Sequence, residues 1–217
     1  MFDPRAAALC VLLLAAVASP ARADDRYFPL HLGNWWAYEE EDANGVRLSR
    51  ETWTLIGSDA GEFHLRSTTK RLDALGRLGR RWEGHEYLRT DGDGVRKRFP
   101  GGPQGETDVL LLKESASSGT RWHDAQGECE VAAEGASCAG PRGDLPSCLV
   151  VVCRLGTPPA TVVTSTYARG IGMVRQDLDL TEVMPVFEGA PGAMFTDGGP
   201  RSGHSVLRLT AFHIDAR

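Results

Sequence analysis

Beyond residue 23 this sequence contains no apolar run approaching the roughly 20 residues that a membrane-spanning helix needs. No stretch sustains a 3.6-residue apolar period either; the nearest, Lys70 to Leu78, is weakened by Gly76. A helical bundle is thereby disfavoured. Lysine is scarce, with only Lys70, Lys97 and Lys113, and basic residues do not outnumber acidic ones. That balance argues against a nucleic-acid binder, which carries a basic excess. The motifs of several familiar chemistries are missing as well. The sequence has no G-x-S-x-G for a serine nucleophile and no C-x-x-C for thiol exchange. Neither H-E-x-x-H nor H-x-x-x-H is present to hold zinc.

What is present begins with an address. Met1 to Ala23 reads as a secretory signal peptide: Arg5 in a short basic region, an apolar run from Ala6 to Val17, and the helix-breaking Ser19-Pro20. Ala21-Arg22-Ala23 then supplies a small-x-small cleavage site ahead of Asp24. Cys10 sits in the middle of the apolar run, not at its end, so no lipid anchor is expected. The predicted product is a single domain over residues 24–217, soluble and periplasmic or extracellular. Two of the 24 basic and one of the 29 acidic residues leave with the signal, giving 22 against 28 and a net charge of −6. A chain of this size can bury roughly 70% of its unfolded surface around one core.

Four cysteines remain in that product: Cys129, Cys138, Cys148 and Cys153. An even number in an exported chain reads as two disulfides. Ser147 to Leu155 has the look of a strand, which sets Cys148 and Cys153 roughly 16 Å apart. A disulfide needs Cα atoms within about 7 Å, so that pairing is excluded, and Cys129–Cys138 with it. The nested arrangement, Cys129–Cys153 with Cys138–Cys148, suits two antiparallel strands flanking a loop from Glu134 to Pro146. It is preferred to the crossed one, which stays open. The spacings between these cysteines are not those of a zinc knuckle, and no histidine falls among them.

Elsewhere the pattern is of short strands. Trp35 to Glu41 leads through Asn44-Gly45, a strong hairpin signal, into Val46 to Ile56. Phe63 to Lys70, Arg80 to Thr90 and Val95 to Phe99 follow, the last after the Asp91-Gly92-Asp93-Gly94 turn. Further candidates are Asp108 to Lys113, Arg121 to Asp124, Cys129 to Ala133, Ser147 to Leu155, Thr161 to Tyr167, Met173 to Leu180 and Val206 to Ile214. Gly/Pro-rich stretches at Pro100 to Gly105, Gly135 to Pro146 and Gly189 to Gly203 separate them. Ten to twelve strands with turns between predict an all-β protein. It is a single antiparallel meander forming a barrel or strongly curved sheet, with little helix. Period 2 places Trp36 and Tyr38 on the inner face of the first strand and Trp35 on the exposed one. Trp53, Trp82, Trp122, Phe63, Leu110 and Val150 are the other expected inner positions.

Ten basic residues between Arg66 and Arg98 face five acidic ones, which reads as a solvated strand face or a cationic groove for an acidic ligand. His31, His64, His85, His123, His204 and His213 are scattered. His85 and Tyr87 share a face, either of a half-exposed sheet or of a ligand site. His123 and Asp124 point to opposite faces and cannot bind one metal together. Asp91 to Gly94 resembles half a calcium loop but lacks its closing glutamate. Arg142-Gly143-Asp144, a tripeptide that serves in cell adhesion, falls in the predicted loop between cysteines; motifs this short arise often by chance.

Three islands carry a resemblance. Tyr27-Phe28-Pro29-Leu30 with Gly33-Asn34, Trp36 and Tyr38 resembles the "YFPL…GN.W.Y" opening of a broad group of bacterial exported proteins of uncharacterised activity. Leu145 to Val151 is similar to that group's middle strand. Tyr167-Ala168-Arg169-Gly170-Ile171-Gly172-Met173-Val174 resembles its "Y.A.GVG.V" stretch. The middle island departs from the group's pattern, with no glycine after Pro146 and an added cysteine pair. The resemblance implies an antiparallel β-rich envelope protein and implies no activity. The Gly170/Gly172 pair reads as a bulge or tight bend.

No catalytic residue, cofactor or metal site is expected, and the sequence points to a non-enzymatic envelope protein. Its expected partner is a lipid or other amphipathic molecule in the sheet interior, or another envelope protein, and not nucleic acid. A hydrolase assembled from scattered His and Asp, or a purely structural component, is the alternative.

Overall fold

A computed structural model describes residues 26–73, 75–102, 105–124, 127–156, 161–180 and 203–215. The expected signal peptide and cleavage site lie outside these, as does most of the Gly189 to Gly203 stretch. Twelve strands follow one another: β1 (Trp35–Asp42), β2 (Arg47–Asp59), β3 (Glu62–Leu72), β4 (Leu78–Thr90), β5 (Gly94–Gly102) and β6 (Gly105–Lys113) form the first half. The second half is β7 (Arg121–His123), β8 (Gly127–Gly140), β9 (Gly143–Leu155), β10 (Thr161–Ala168), β11 (Gly172–Leu180) and β12 (Gly203–His213). Among the described residues no helix forms, and none is long and apolar enough to cross a membrane.

All twelve strands are antiparallel neighbours in one sheet. β1 pairs with β12 at its centre, while β6 and β7 are its two edges. The sheet curls until its inner face surrounds a single core, but it does not close into a barrel. Side chains bridge the seam instead of a ladder. Trp122 Nε1 of β7 donates to the Leu110 carbonyl of β6 at 3.0 Å, and the Leu110 N–H donates to Asp124 Oδ2 at 3.2 Å. One buried edge residue thereby has both backbone groups satisfied, as burial requires.

Turn chemistry explains the hairpins. Asp42 Oδ1 accepts from the N–H groups of Asn44 and Val46, and Asp91 Oδ1 accepts from Asp93 and Gly94. These are Asx-type turns in which a carboxylate does a backbone carbonyl's work. The Asp-Gly-Asp-Gly stretch is therefore a hairpin turn. The expected loop from Glu134 to Pro146 is different. It continues β8 and β9 into a long hairpin that turns at Pro141-Arg142, with Arg142, Gly143 and Asp144 exposed at its tip. Its alanines, serines and glycines bury little, so no apolar alternation betrays the strand, and the ladder and a disulfide hold it.

The cysteines form the nested pair, Cys129–Cys153 and Cys138–Cys148, with Cα separations of 4.0 and 6.0 Å. Closing loops of 24 and 10 residues' separation, each bond constrains the unfolded chain by about 2–4 kcal/mol. Replacing both members of either pair by alanine is expected to lower the unfolding free energy by that amount and the urea midpoint with it, the slope rising as the unfolded chain expands. An unchanged midpoint for the Cys129/Cys153 double variant would contradict this.

Two inner-face expectations change. Val150 is half-buried, and its neighbours Leu149 and Val151 are the buried ones, so the β9 frame is one residue off from that expected. Trp35 is half-buried rather than exposed, while Trp36 is fully buried as expected.

The first and last islands of the sequence meet. Residues 26–34 run into the open sheet, burying Tyr27, Phe28 and Leu30. Glu114, just beyond β6, accepts from the N–H groups of Tyr27 (2.7 Å) and Phe28 (3.2 Å), and the Gly170 N–H donates to the Arg26 carbonyl at 2.7 Å. Arg169 lies over the Tyr27 ring and donates to its hydroxyl. Trp36 Nε1 donates to the Ile171 carbonyl, and Tyr38 Oη to that of Met173. A Cβ on Gly172 would sit 2.9 Å from Trp36 Nε1, and its φ of +112° is hostile to other residues. The islands thus build one joint between the N-terminal segment and the β10–β11 hairpin. The tight bend expected at Gly170 and Gly172 is the β10–β11 turn, where both have positive φ, and a register shift lies nearby between Thr166 and Tyr167.

Candidate functional site

The inner face of the sheet is not uniformly apolar. On β1 the inward residues run Trp36, Tyr38, Glu40, and on β2 they run Ser49, Glu51, Trp53, Leu55. Period 2 carries the acidic run Glu39 to Asp42 to both faces. Glu39 and Glu41 turn outward to Arg47, Arg50 and Arg208, whereas Glu40 is buried and accepts from Ser49 Oγ at 2.8 Å.

Beside these lies a cavity of about 80 Å³ bounded by Phe28, Glu51, Trp53, Glu86, Lys97 and Gln176, with further walls from the core. Lys97 Nζ is 2.7 Å from Glu86 Oε2 and faces the rings of Trp53 and Phe99 at 5.7 and 4.8 Å. Gln176 Nε2 donates to Ser165 Oγ on the paired strand. Glu51 keeps some accessible surface and lines this cavity. Burial raises its pKa to about 7; the nearby Glu86 and Glu40 push the same way, and the Trp53 indole N–H and Lys97 partly offset them. Trp53 Nε1 is buried and makes no hydrogen bond of good geometry, although it lies close enough to favour the Glu51 anion. Burial likewise pushes the Tyr167 hydroxyl up to about 12.

The charged outer face resolves into pairs: Arg77 with Asp73, Arg81 with Glu83, Arg89 with Asp108, Arg96 with Asp91 and Arg98 with Glu62, while Lys97 turns inward to Glu86. A solvated, cross-linked strand face describes it better than a cationic groove. Most of these pairs are exposed and contribute little each.

The histidines do not gather. His204 faces Asp177 and Asp179, His213 faces Asp215, and His123 is exposed on the edge strand. His64 and His85 do meet, on the outside of β3 and β4. Among the described residues no group of three His, Cys, Asp or Glu side chains is placed to hold a metal ion. The interior carboxylates were not legible as a group. Glu51 and Glu86 sit amid polar residues in sequence, and only cross-strand register brings them together.

No protein-family model matches this chain, and no curated protein matches it significantly. Two solved structures resemble its fold. One is a candidate lipoprotein from Parabacteroides distasonis, 12% identical, with a TM-score of 0.46 over 87% of this chain and 99% of that one. The other is a candidate exported protein of YmcC-like fold from Bacteroides fragilis, 11% identical, with a TM-score of 0.48 over 87% and 99%.

Proposed function

We propose that this chain is a non-catalytic, exported envelope protein that engages another envelope component through its outer surface, its interior serving as a packed core. The observation that carries this reading is the small size of the cavity beside Glu51. It measures about 80 Å³, against the roughly 300–1,000 Å³ of ordinary ligand pockets. It has room for a few waters and none for an acyl chain. Export is supported by the signal-like leader, by two disulfides that belong to an oxidising compartment, and by the sequence's resemblance to bacterial exported proteins.

The hydrolase alternative would draw on Glu51, whose raised pKa is the kind of perturbation found at functional sites. No histidine lines its cavity, however, and Lys97 is tied to Glu86. Native mass spectrometry of the protein from its own host separates the readings. The expected species begins at Asp24, carries two disulfides and holds no small molecule. A lipid retained in one-to-one ratio would sink the packed-core reading.

A further inference from the structure

On the outer face, His64 Nε2 and His85 Nδ1 stand 2.9 Å apart. They occupy diagonal positions on neighbouring strands, since His64 pairs with Tyr87 and His85 with Arg66. Their rings are 5.0 Å apart and tilted by 42°. Tyr87 stacks on His64 at 5.0 Å and 16°, and is itself covered by Arg98 at 4.4 Å. On the far side, His85 Nε2 lies 3.4 Å from Glu83 Oε1.

We propose that His64 and His85 form a surface site for a divalent transition-metal ion of square-planar or tetragonal habit, Cu²⁺ before Ni²⁺. Two nitrogens each about 2.0 Å from a metal and set at a right angle are about 2.8 Å apart, whereas a tetrahedral ion needs them about 3.3 Å apart. In the metal-free protein the two nitrogens share a hydrogen bond at 2.9 Å, which already holds them at about the closer of these spacings. Glu83 favours the proton on His85 Nε2, so that Nδ1 accepts from the His64 Nε2–H and offers a metal the same lone pair once that hydrogen bond is exchanged. A carboxylate behind an imidazole in this way orients the ring and strengthens it as a ligand.

His64 then binds through Nε2 with its own proton moved to Nδ1, so both imidazoles stay neutral and no proton is lost. A modest turn of these exposed rings aims both lone pairs at one point. Tyr87 holds the His64 plane, and water fills the remaining positions. Three charges oppose a cation here, Arg66 beside His85, Arg98 over Tyr87 and Arg81 on Glu83; Glu62 pairs with Arg98 and offsets part of its field. That repulsion weakens every divalent ion alike, and copper, with the highest affinity for nitrogen ligands among the first-row divalent ions, is the one best able to overcome it.

The test is titration of the disulfide-intact mature protein with CuCl₂ and with ZnCl₂ in a non-coordinating buffer, followed by electron paramagnetic resonance. One equivalent of Cu²⁺ with splitting from two nitrogens is expected, and Zn²⁺ should bind at least about 10-fold more weakly. His64→Ala and His85→Ala should each lose the two-nitrogen signature, and Glu83→Gln should weaken binding by about 10-fold or more. His204→Ala and His213→Ala should change nothing, and unaltered melting of every variant shows that folding is not the cause. Oxygen-only coordination, Zn²⁺ bound as tightly as Cu²⁺, or a nitrogen signature surviving the His64/His85 double variant would each overturn the site.

Discussion

Trp36→Ala is expected to lower the unfolding free energy by about 3–5 kcal/mol, the range for deleting a large core aromatic. Trp36 is fully buried, its ring lies 5.2 Å from that of Phe28, and its indole N–H donates to the Ile171 carbonyl at 2.5 Å. Truncation opens a void and strands a carbonyl, which adds about 1–3 kcal/mol if water cannot reach it. The N-terminal segment should loosen at the same time, because Phe28 packs against Trp36 on one side and Tyr167 on the other. Trp35→Ala, on the opposite face and half-buried, should cost about 1 kcal/mol or less. Urea melts of the two variants check the contrast. Equal losses would mean that β1 does not present one face to the core, and a larger loss at Trp35 would reverse its faces.

That contrast is legible from alternation alone, because a strand's period fixes which residues share a face. The hairpin turns are legible for the same local reason, since Asn44-Gly45 and Asp91 to Gly94 carry their turn chemistry within four residues. Local signals do not report which face of one strand meets which face of another. The β1–β12 pairing joins residues some 170 positions apart, such as Tyr38 and Leu209, and nothing within either segment announces the other. The seam was hidden for a related reason. Trp122 and Asp124 read as the end of a short strand, and only the curl of the whole sheet brings them to Leu110. The charged interior is the clearest case. Glu40 and Glu86 are polar residues in polar company along the chain, and the ordinary expectation is that such residues face water. Their burial depends on Ser49 standing opposite Glu40 and on Lys97, opposite Leu88, reaching Glu86 diagonally, which is a property of register.

Glu51 gives that interior charge a measurable consequence. Its carboxyl titrates at about 7 in the folded protein against an ordinary 4.5, chiefly because burial penalises the anion and secondarily because Glu86 and Glu40 are near. The folded state therefore holds its proton over a range where the unfolded chain has released it. Stability from this group is complete below pH 4.5 and is lost progressively as pH rises to about 7. The difference corresponds to about 3 kcal/mol between the two ends of that window. Glu51→Gln mimics the protonated form, so it should remove this fall and leave the protein about 3 kcal/mol more stable than the parent at pH 8, with little change at pH 4. Glu86→Gln should behave otherwise. It leaves the half-buried Lys97 without its partner at 2.7 Å, so it should destabilise at both pH values. Urea melts of the three proteins from pH 4 to pH 8 read this directly. A parent and a Glu51→Gln variant with parallel pH profiles would show that Glu51 is ionised throughout, with water reaching it in the folded state.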